Sequence, residues 1–200
     1  MTERYRTVAG PATARFVVQG SEFIGHVRPV EAVDAAEAFV DSVEREYDDA
    51  THNVPAYRVR AGGGMLREYS SDDGEPTGSA GKPALNVLTQ RELENVAVVV
   101  TRYYGGTNLG VGGLVRAYSR SVKEAVDAAG VIEERPHERL SITVEYDDSG
   151  TVRSILESEA LEFEADYAAD VGFEVRVPVA EIEQVRDRIQ SATSGRADLE

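Results

Sequence analysis

The segment VAVVVTRYYGG, residues 96–106, decides how this chain folds. Its unbroken apolar run favours a strand from Val96 to Tyr103 that is buried on both faces. A glycine-rich loop, Gly105 to Gly113, follows, and residues Leu114 to Ala129 then have the apolar period of an amphipathic helix ended by Gly130. The predicted core face of this helix consists of Leu114, Tyr118, Val122, Ala125 and Val126.

Around this centre the sequence predicts four further strands and two further helices. The strands are Ala14 to Gln19, Phe23 to Val30, Asn53 to Arg60 and Met65 to Ser70, and the helices are Val33 to Tyr47 and Pro83 to about Gln90. Turns at Gly20-Ser21 and Gly62 to Gly64 join the strands in pairs, and Ser71 to Lys82 form a long loop. Pro55 lacks a backbone N–H, so we expect its strand to lie at a sheet edge or to carry a bulge.

The charged segment Glu133 to His137 separates this region from a second one, which predicts two domains, residues 1–136 and 137–200. The second region predicts strand, helix, two strands, helix and a short last strand, the order of a ferredoxin-like α/β plait. Its elements are Leu140 to Tyr146, Thr151 to Glu159, Leu161 to Ala168, Gly172 to Pro178, Ala180 to Ala192 and the tail. The predicted fold class is therefore α+β.

Composition limits the function classes. The 200 residues include 36 acidic and 21 basic side chains, a net charge of −15, with no cysteine and three histidines. We therefore expect no disulfide partner, no thiolate chemistry, no metal site and no cofactor. The longest apolar run, Val96 to Val100, is far shorter than the roughly 20 residues of a membrane span. The opening MTERYRTVAG has no apolar core after its charges, so we expect a cytoplasmic protein without membrane attachment.

The basic residues are almost all arginine, since Lys82 and Lys123 are the only lysines. Acid excess with so little lysine indicates a halophile, because exposed carboxylates stay hydrated in a salt-rich cytoplasm that screens their repulsion. The global charge disfavours long-range attraction to nucleic acid. Any such binding must come from a local basic patch.

Two glycine-rich segments, each directly before a predicted helix, are candidate phosphate-binding loops. Their candidate anion-binding residues are Gly78, Gly81, Lys82, Gly105, Gly106, Gly110, Gly112 and Gly113. Neither segment fits a Walker A or a dinucleotide-binding motif, because Pro76, Pro83 and Val115 occupy positions that those motifs reserve for other residues. The alternative interpretation is that the glycines only make tight turns.

A local basic patch accompanies the second loop. Arg116, Arg120 and Lys123 share one helical face, close in sequence to Arg102, Tyr103 and Tyr104. Arginine pairs with phosphate and tyrosine stacks on unpaired bases, so these six residues are the candidate RNA-binding surface. A solvated helix face is the alternative.

The first loop carries Asp72, Asp73 and Glu75, and His52 with Asn53 lies upstream. The three carboxylates suit Mg²⁺ beside a phosphate, although Asp-Asp-Gly is also a strong turn former. His52 suits a general base or a turn cap, and no nucleophile stands out, so we assign no catalytic residue.

Three motifs occur in one order along residues 20 to 130. They are ATHN with AYR at 50–58, DDGEP through GKP at 72–83, and VVVTRYYGG through GGLVRAY at 98–118. Together they closely resemble the IMPACT family, including its YigZ-like bacterial members. The matching polar and glycine positions are His52, Asp73, Glu75, Lys82, Arg102, Gly105, Gly106, Gly112, Gly113 and Arg116. The sequence departs from the family pattern at Val54, where many members have cysteine, and at Asn108, where lysine is usual.

The resemblance implies a first domain like the second domain of the fifth small-subunit ribosomal protein. It also implies a ferredoxin-like second domain, similar to the last domain of the translocating elongation factor. Both likenesses point toward the ribosome. Eukaryotic relatives regulate translation through a ribosome-associated activator of a stress kinase, a route that is not carried over to this chain.

Three functional hypotheses follow. The first is a translation-associated regulatory or binding protein that engages RNA or a ribosomal or translation-factor partner through the glycine loops and the basic patch. The alternative is a nucleotide- or phosphate-metabolite-handling enzyme that uses the Gly110 to Gly113 loop and Mg²⁺ at Asp72, Asp73 and Glu75. The third is a protein–protein regulator that uses the acidic second domain.

Overall fold

A computed structural model describes residues 4–60 and 65–200. The chain divides into two compact units, residues 5–134 and residues 135–200 with Arg4. The predicted boundary at residue 136 lies two residues beyond this division. No helix in the described residues is long and apolar enough to cross a membrane.

The first unit is built on a five-stranded antiparallel sheet with the order β2-β3-β6-β4-β5. Its strands are β2 (Ala12–Val18), β3 (Ser21–Pro29), β4 (His52–Arg60), β5 (Leu66–Ser70) and β6 (Val96–Tyr103). The central strand is β6, whose residues Val96 to Val100 are fully buried, as predicted. A separate ribbon pairs β1 (Tyr5–Val8) with β7 (Val131–Glu134), neither of which the sequence analysis identified. The predicted Gly62 to Gly64 turn lies outside the described residues.

Helices cover both faces of this sheet. One face packs against α1 (Val33–Glu46), and the other packs against α2 (Gly81–Gln90) and α3 (Gly110–Ala129). Because side chains alternate along a strand, Val98 and Val100 of β6 join the α2/α3 core while Ala97 and Val99 join the α1 core. All five predicted core residues of α3 are buried.

Two local expectations were wrong. Pro55 lies in β4, which is an interior strand rather than an edge. It pairs with Val99 of β6, and on its other side its carbonyl oxygen accepts a hydrogen bond from Ser71 N at 3.2 Å. In an antiparallel strand the N–H and C=O of one residue point toward the same neighbouring strand, which for Pro55 is β5. Because β5 ends at Ser70, no residue of β5 requires the N–H that Pro55 lacks.

The second correction concerns the glycine loop. Helix α3 begins at Gly110, four residues before the predicted start, so Gly110, Gly112 and Gly113 form its first turn. The predicted loop is therefore shorter and ends at Leu109. Its Gly106 has a φ of +87°, a conformation that glycine adopts without steric cost.

The second unit has the predicted ferredoxin-like order. Its elements are β8 (His137–Val144), α4 (Tyr146–Ser158), β9 (Glu162–Tyr167), β10 (Val171–Pro178), α5 (Ile182–Ala192) and β11 (Asp198–Leu199). The sheet order is β11-β8-β10-β9, with antiparallel neighbours throughout. Helix α4 begins five residues earlier than predicted, because Gly150 continues the helix and Asp147 and Asp148 suit its first turn. The α+β class is confirmed for both units.

A buried polar chain crosses the α1 face of the first sheet. His26 Nε2 lies 3.2 Å from Thr101 Oγ1, and the Thr101 hydroxyl donates to Asn53 Oδ1 at 2.7 Å. Since the threonine proton is already committed, His26 Nε2 must donate its own hydrogen, which fixes the neutral tautomer. Burial is the main cause that lowers the pKa of His26 to about 4.

This histidine predicts a stability change with pH. The pKa of His26 is about 4 in the folded chain and near 6.5 in the unfolded chain. At pH values between these two, His26 is protonated only in the unfolded chain. The histidine contribution to stability is therefore complete above pH 6.5 and falls by about 3 kcal/mol as the pH drops to 4. His26→Gln keeps an N–H donor without titrating. Urea unfolding between pH 7 and 4 should give a shallower loss of stability in H26Q, and parallel curves for both proteins would contradict the assignment.

Candidate functional site

The three sequence motifs meet around one buried carboxylate, Glu75. Its side chain is 4% exposed, and its Oε1 accepts hydrogen bonds from Arg102 Nη1 at 2.6 Å and from the Tyr118 hydroxyl at 2.7 Å. Glu75 lies in the loop after β5, Arg102 near the end of β6, and Tyr118 in α3. We call these residues, with His52 and Ser21, the Glu75 cluster.

The Arg102 guanidinium is the centre of this cluster. It is 6% exposed, donates a second hydrogen bond from Nη2 to Ser21 Oγ at 3.3 Å, and lies 5.5 Å from the ring centroids of Phe23 and Tyr104. Its Nε has no partner among the described residues. Burial, followed by the Glu75 hydrogen bond, raises the pKa of Tyr118, so its hydroxyl stays a donor.

His52 is the member of the cluster nearest to solvent. Its Nδ1 lies 2.6 Å from the carbonyl oxygen of Asp73, so Nδ1 carries a hydrogen and donates it. Its Nε2 lies 3.7 Å from Glu75 Oε2, too far for a direct hydrogen bond. His52 thus anchors the loop at Asp73. Its Nε2 faces Oε2 of Glu75, the carboxylate oxygen that Arg102 and Tyr118 do not use.

Asp72 organises the rest of this loop from within. Its carboxylate accepts three backbone hydrogen bonds, from Gly78 N at 2.8 Å, Ala80 N at 3.1 Å and Gly81 N at 2.8 Å. Burial alone raises the pKa of Asp72, but the three hydrogen bonds outweigh it and leave the pKa below its usual value. The N-terminus of α2 therefore already holds an anion, and that anion is a side chain of the protein.

This arrangement corrects the anion site predicted at the first loop and argues against the Mg²⁺ site of the alternative hypothesis. Gly78 and Gly81 do not form an open phosphate site, because their N–H groups are bonded to Asp72; Lys82 beside them is exposed. The proposed Mg²⁺ ligands do not converge either, since Asp73 Oδ2 accepts from Asn53 N at 2.6 Å and Glu75 is held by Arg102. Among the described residues no group of three acidic, histidine or cysteine side chains could hold a metal ion.

The second glycine segment divides into a structural part and an open part. A Cβ on Gly105 would overlap the backbone of Gly20, so this glycine lets the β2–β3 turn touch the end of β6. Ser21 Oγ accepts from Gly105 N at 3.2 Å and completes the contact. Cβ atoms on Gly106 or Gly110 would meet nothing within 4 Å, so these two glycines border open space.

The N-terminus of α3 is open in a way that α2 is not. It has no side-chain cap and no acidic residue in its first turn. The Arg116 guanidinium lies over this turn, since its Nη1 would be 3.5 Å from a Cβ on Gly112. Arg116 is exposed and has no hydrogen bond or ion pair within the described part of the chain.

The predicted basic patch is only partly assembled. Arg102 is buried in the Glu75 cluster, and Tyr103 lies on the opposite, α1 face, where its hydroxyl donates to Asp49 at 2.7 Å. The two residues are adjacent in sequence, but neighbours in a strand face opposite sides of the sheet. Tyr104, Arg116, Arg120 and Lys123 remain exposed. Arg120 is engaged by Glu124 at 2.6 Å and lies 4.0 Å over the Phe16 ring.

Two residues of the Glu75 cluster were missed by sequence reasoning. Tyr118 was assigned only to the apolar core and Ser21 only to a turn. A tyrosine in the middle of a buried helix face was the available signal, because a buried hydroxyl requires a partner. Nothing in the sequence marked Ser21.

The cluster predicts an unequal response to conservative substitutions. Glu75→Gln leaves the buried Arg102 charge uncompensated and should lower the free energy of unfolding by about 3 kcal/mol. Tyr118→Phe removes one hydrogen bond and should cost about 1 kcal/mol. The control is Glu157→Gln in the exposed Arg153–Glu157 pair, with an expected change below about 0.5 kcal/mol. Urea unfolding measures all three, and equal losses in E75Q and E157Q would refute a structural role for the buried pair.

Comparison with known proteins gives two family matches. The Impact N-terminal domain matches residues 19–126, which hold the Glu75 cluster and the α3 N-terminus. A domain of unknown function, DUF1949, matches residues 142–196 of the ferredoxin-like unit.

Relatives match along nearly the whole chain. The IMPACT family member YvyE of Bacillus subtilis is 35% identical over 200 residues, covering 100% of this chain and 91% of that protein. The IMPACT family member YigZ of Escherichia coli is 32% identical over 198 residues, covering 98% and 97%. A crystal structure described as a hypothetical protein is 32% identical, with a TM-score of 0.70 and coverage of 100% and 97%. With one family domain spanning more than half of its residues and full-length relatives above 30% identity, this chain belongs to the IMPACT family.

Proposed function

We propose that this protein is a translation-associated regulatory protein that binds RNA through the first turn of α3. The observation that carries the proposal is the Arg116 guanidinium, which lies over an uncapped helix N-terminus and pairs with none of the described residues. Both groups favour an anion at the same place, because the free N–H groups of the first turn and the arginine fork each bind phosphate oxygens.

Two further cations extend the site along α3. Arg116 itself has no carboxylate partner among the described residues. Lys123 is two turns further along α3 and also has no partner in the described residues. Arg120 lies between them in sequence, so the three cations form a row along one helical face that could follow a phosphate backbone.

Tyr104 adds a surface for bases. It is exposed, and its hydroxyl donates to Asn108 Oδ1 at 3.1 Å, which holds the side chain at the border of the open glycine segment. Unpaired bases stack on such rings, so a single-stranded or looped RNA fits this site better than a regular duplex. The binding surface in this proposal is Tyr104, Arg116, Arg120 and Lys123, without Arg102 or Tyr103.

Family membership supports the translational context. The resemblance implies domain likenesses to a ribosomal protein and to an elongation factor, and eukaryotic relatives act in translational control. The proposal therefore names ribosomal or transfer RNA as the first target to test. It requires binding only. The nearby buried carboxylate, Glu75, is held by Arg102 and Tyr118.

The test is ultraviolet crosslinking in cells, followed by filter binding of the recovered RNA to purified protein. The double variant Arg116→Glu with Lys123→Glu should weaken binding at least tenfold. Losing two phosphate contacts should also reduce the slope of log affinity against log salt by about 1.4, the single-strand value. Salt should be varied only where circular dichroism shows a folded protein.

The control is Arg139→Glu, which makes one such charge reversal at an exposed arginine of the second unit without a partner among the described residues. It should leave both affinity and salt slope unchanged. Crosslinked RNA that is retained equally by the double variant would move the site away from α3, and no crosslinked RNA above background would refute RNA binding.

A further inference from the structure

A cavity lies on the α1 face of the first sheet, opposite the face that carries the Glu75 cluster. Its volume is about 380 Å³, and it lies between α1 and the neighbouring strands β4 and β5. Helix α1 contributes Glu37, Val40, Asp41 and Glu44, a stripe with helical spacing. Tyr57 of the first sequence motif and Asp73 of the second line this cavity, a role that the sequence did not predict for either residue.

Two tyrosines form its aromatic wall. Tyr57 of β4 and Tyr69 of β5 are cross-strand partners whose rings stack with a centroid separation of 5.1 Å. Tyr57 is buried, whereas Tyr69 is 46% exposed, a large apolar area for a side chain outside the core. The ring faces therefore offer a fixed, partly open surface of negative potential.

Four carboxylates surround this wall, contributed by Glu37, Asp41, Glu44 and Asp73. No arginine or lysine is among the described residues that line the cavity, although Arg45 pairs with Asp41 at 3.5 Å from beside it. Glu44 has no partner within the described residues. Burial raises the pKa of Glu44, and the neighbouring charges of Asp73 and Asp41 raise it further. The cavity is thus a crowded negative site that a positive ligand would relieve.

The spacing of the carboxylates decides which cation fits. They do not form a three-ligand group suited to a metal ion. The cavity is also much larger than a bare ion, and one wall is aromatic. These features suit an organic cation, whose charge meets separated carboxylates while its alkyl or planar part lies against the tyrosines.

We infer that this tyrosine-walled cavity binds an alkylammonium or guanidinium group. The group could belong to a free polyamine or to a lysine or arginine side chain of a partner protein, and the chemistry of recognition is the same for both. The inference does not depend on RNA binding at α3, because the two sites lie on opposite faces of the sheet.

The experiment is isothermal titration calorimetry of the full chain at the lowest KCl concentration that keeps it folded. Spermidine is the probe for a free polyamine, and N-acetyl-arginine methylamide is the probe for a protein side chain. Saturable one-site binding of either probe is expected, and the tighter of the two identifies the source. The double variant Asp41→Asn with Glu44→Gln should weaken binding at least tenfold.

Two controls separate the cavity from the general acidity of the chain. Glu183→Gln with Asp187→Asn makes the same charge change on an exposed face of α5 and should leave binding unchanged. Tyr69→Phe keeps the aromatic face and should retain binding, whereas Tyr69→Leu should weaken it by about three- to tenfold. The absence of saturable binding by both probes, or equal losses in the α1 and α5 double variants, would overturn the inference.

Discussion

The buried ion pair between Arg102 and Glu75 is the constraint on which the rest of the first unit depends. Removing two charges from water is costly, and the cost is offset only when the remaining polar groups around them are satisfied. Tyr118 from α3 and Ser21 from the β2–β3 turn meet part of this requirement, while Arg102 Nε has no partner among the described residues. A single electrostatic requirement therefore joins the loop after β5, the end of β6, α3 and a hairpin turn. The same requirement fixes where the open N-terminus of α3 stands.

Asp73 connects the two faces of the sheet. Its carbonyl oxygen accepts from His52, which belongs to the Glu75 cluster, while its carboxylate accepts from Asn53 N and lines the tyrosine-walled cavity. Its φ of +46° is uncommon for a residue other than glycine and lets one short segment reach both sides. A displacement of Asp73 would alter both the Glu75 cluster and the tyrosine-walled cavity. The cluster uses the carbonyl oxygen of Asp73, and the cavity uses its carboxylate.

Regular periodicity made most of the fold predictable. The valine run of β6, the α3 core face and the ferredoxin-like order of the second unit were all evident, because burial repeats with the period of the element. The site was less predictable, since its contacts join residues far apart in sequence. Asp72 was assigned to a turn or, in the alternative hypothesis, to a Mg²⁺ site, because no local pattern shows a carboxylate turning back onto Gly78 and Gly81. Tyr103 was misplaced because adjacency in a sequence says nothing about which face of a strand is used.

Pro55 has a consequence for the fidelity of folding. The β4–β5 ladder ends at the Ala56–Ser70 pair, and beyond it Pro55 can accept a hydrogen bond from Ser71 but cannot return one. If β5 shifted along β4 so that a residue in the middle of β5 lay opposite Pro55, the backbone carbonyl of that residue would have no N–H donor. A register shift of one residue would also place Tyr69 on the opposite face of the sheet from Tyr57. Because Pro55 has no backbone N–H, it limits the length of the β4–β5 ladder. The loop that carries Asp72, Asp73 and Glu75 begins directly after this ladder. The position of Glu75 opposite Arg102 therefore depends on Pro55, although Pro55 is not part of the ion pair.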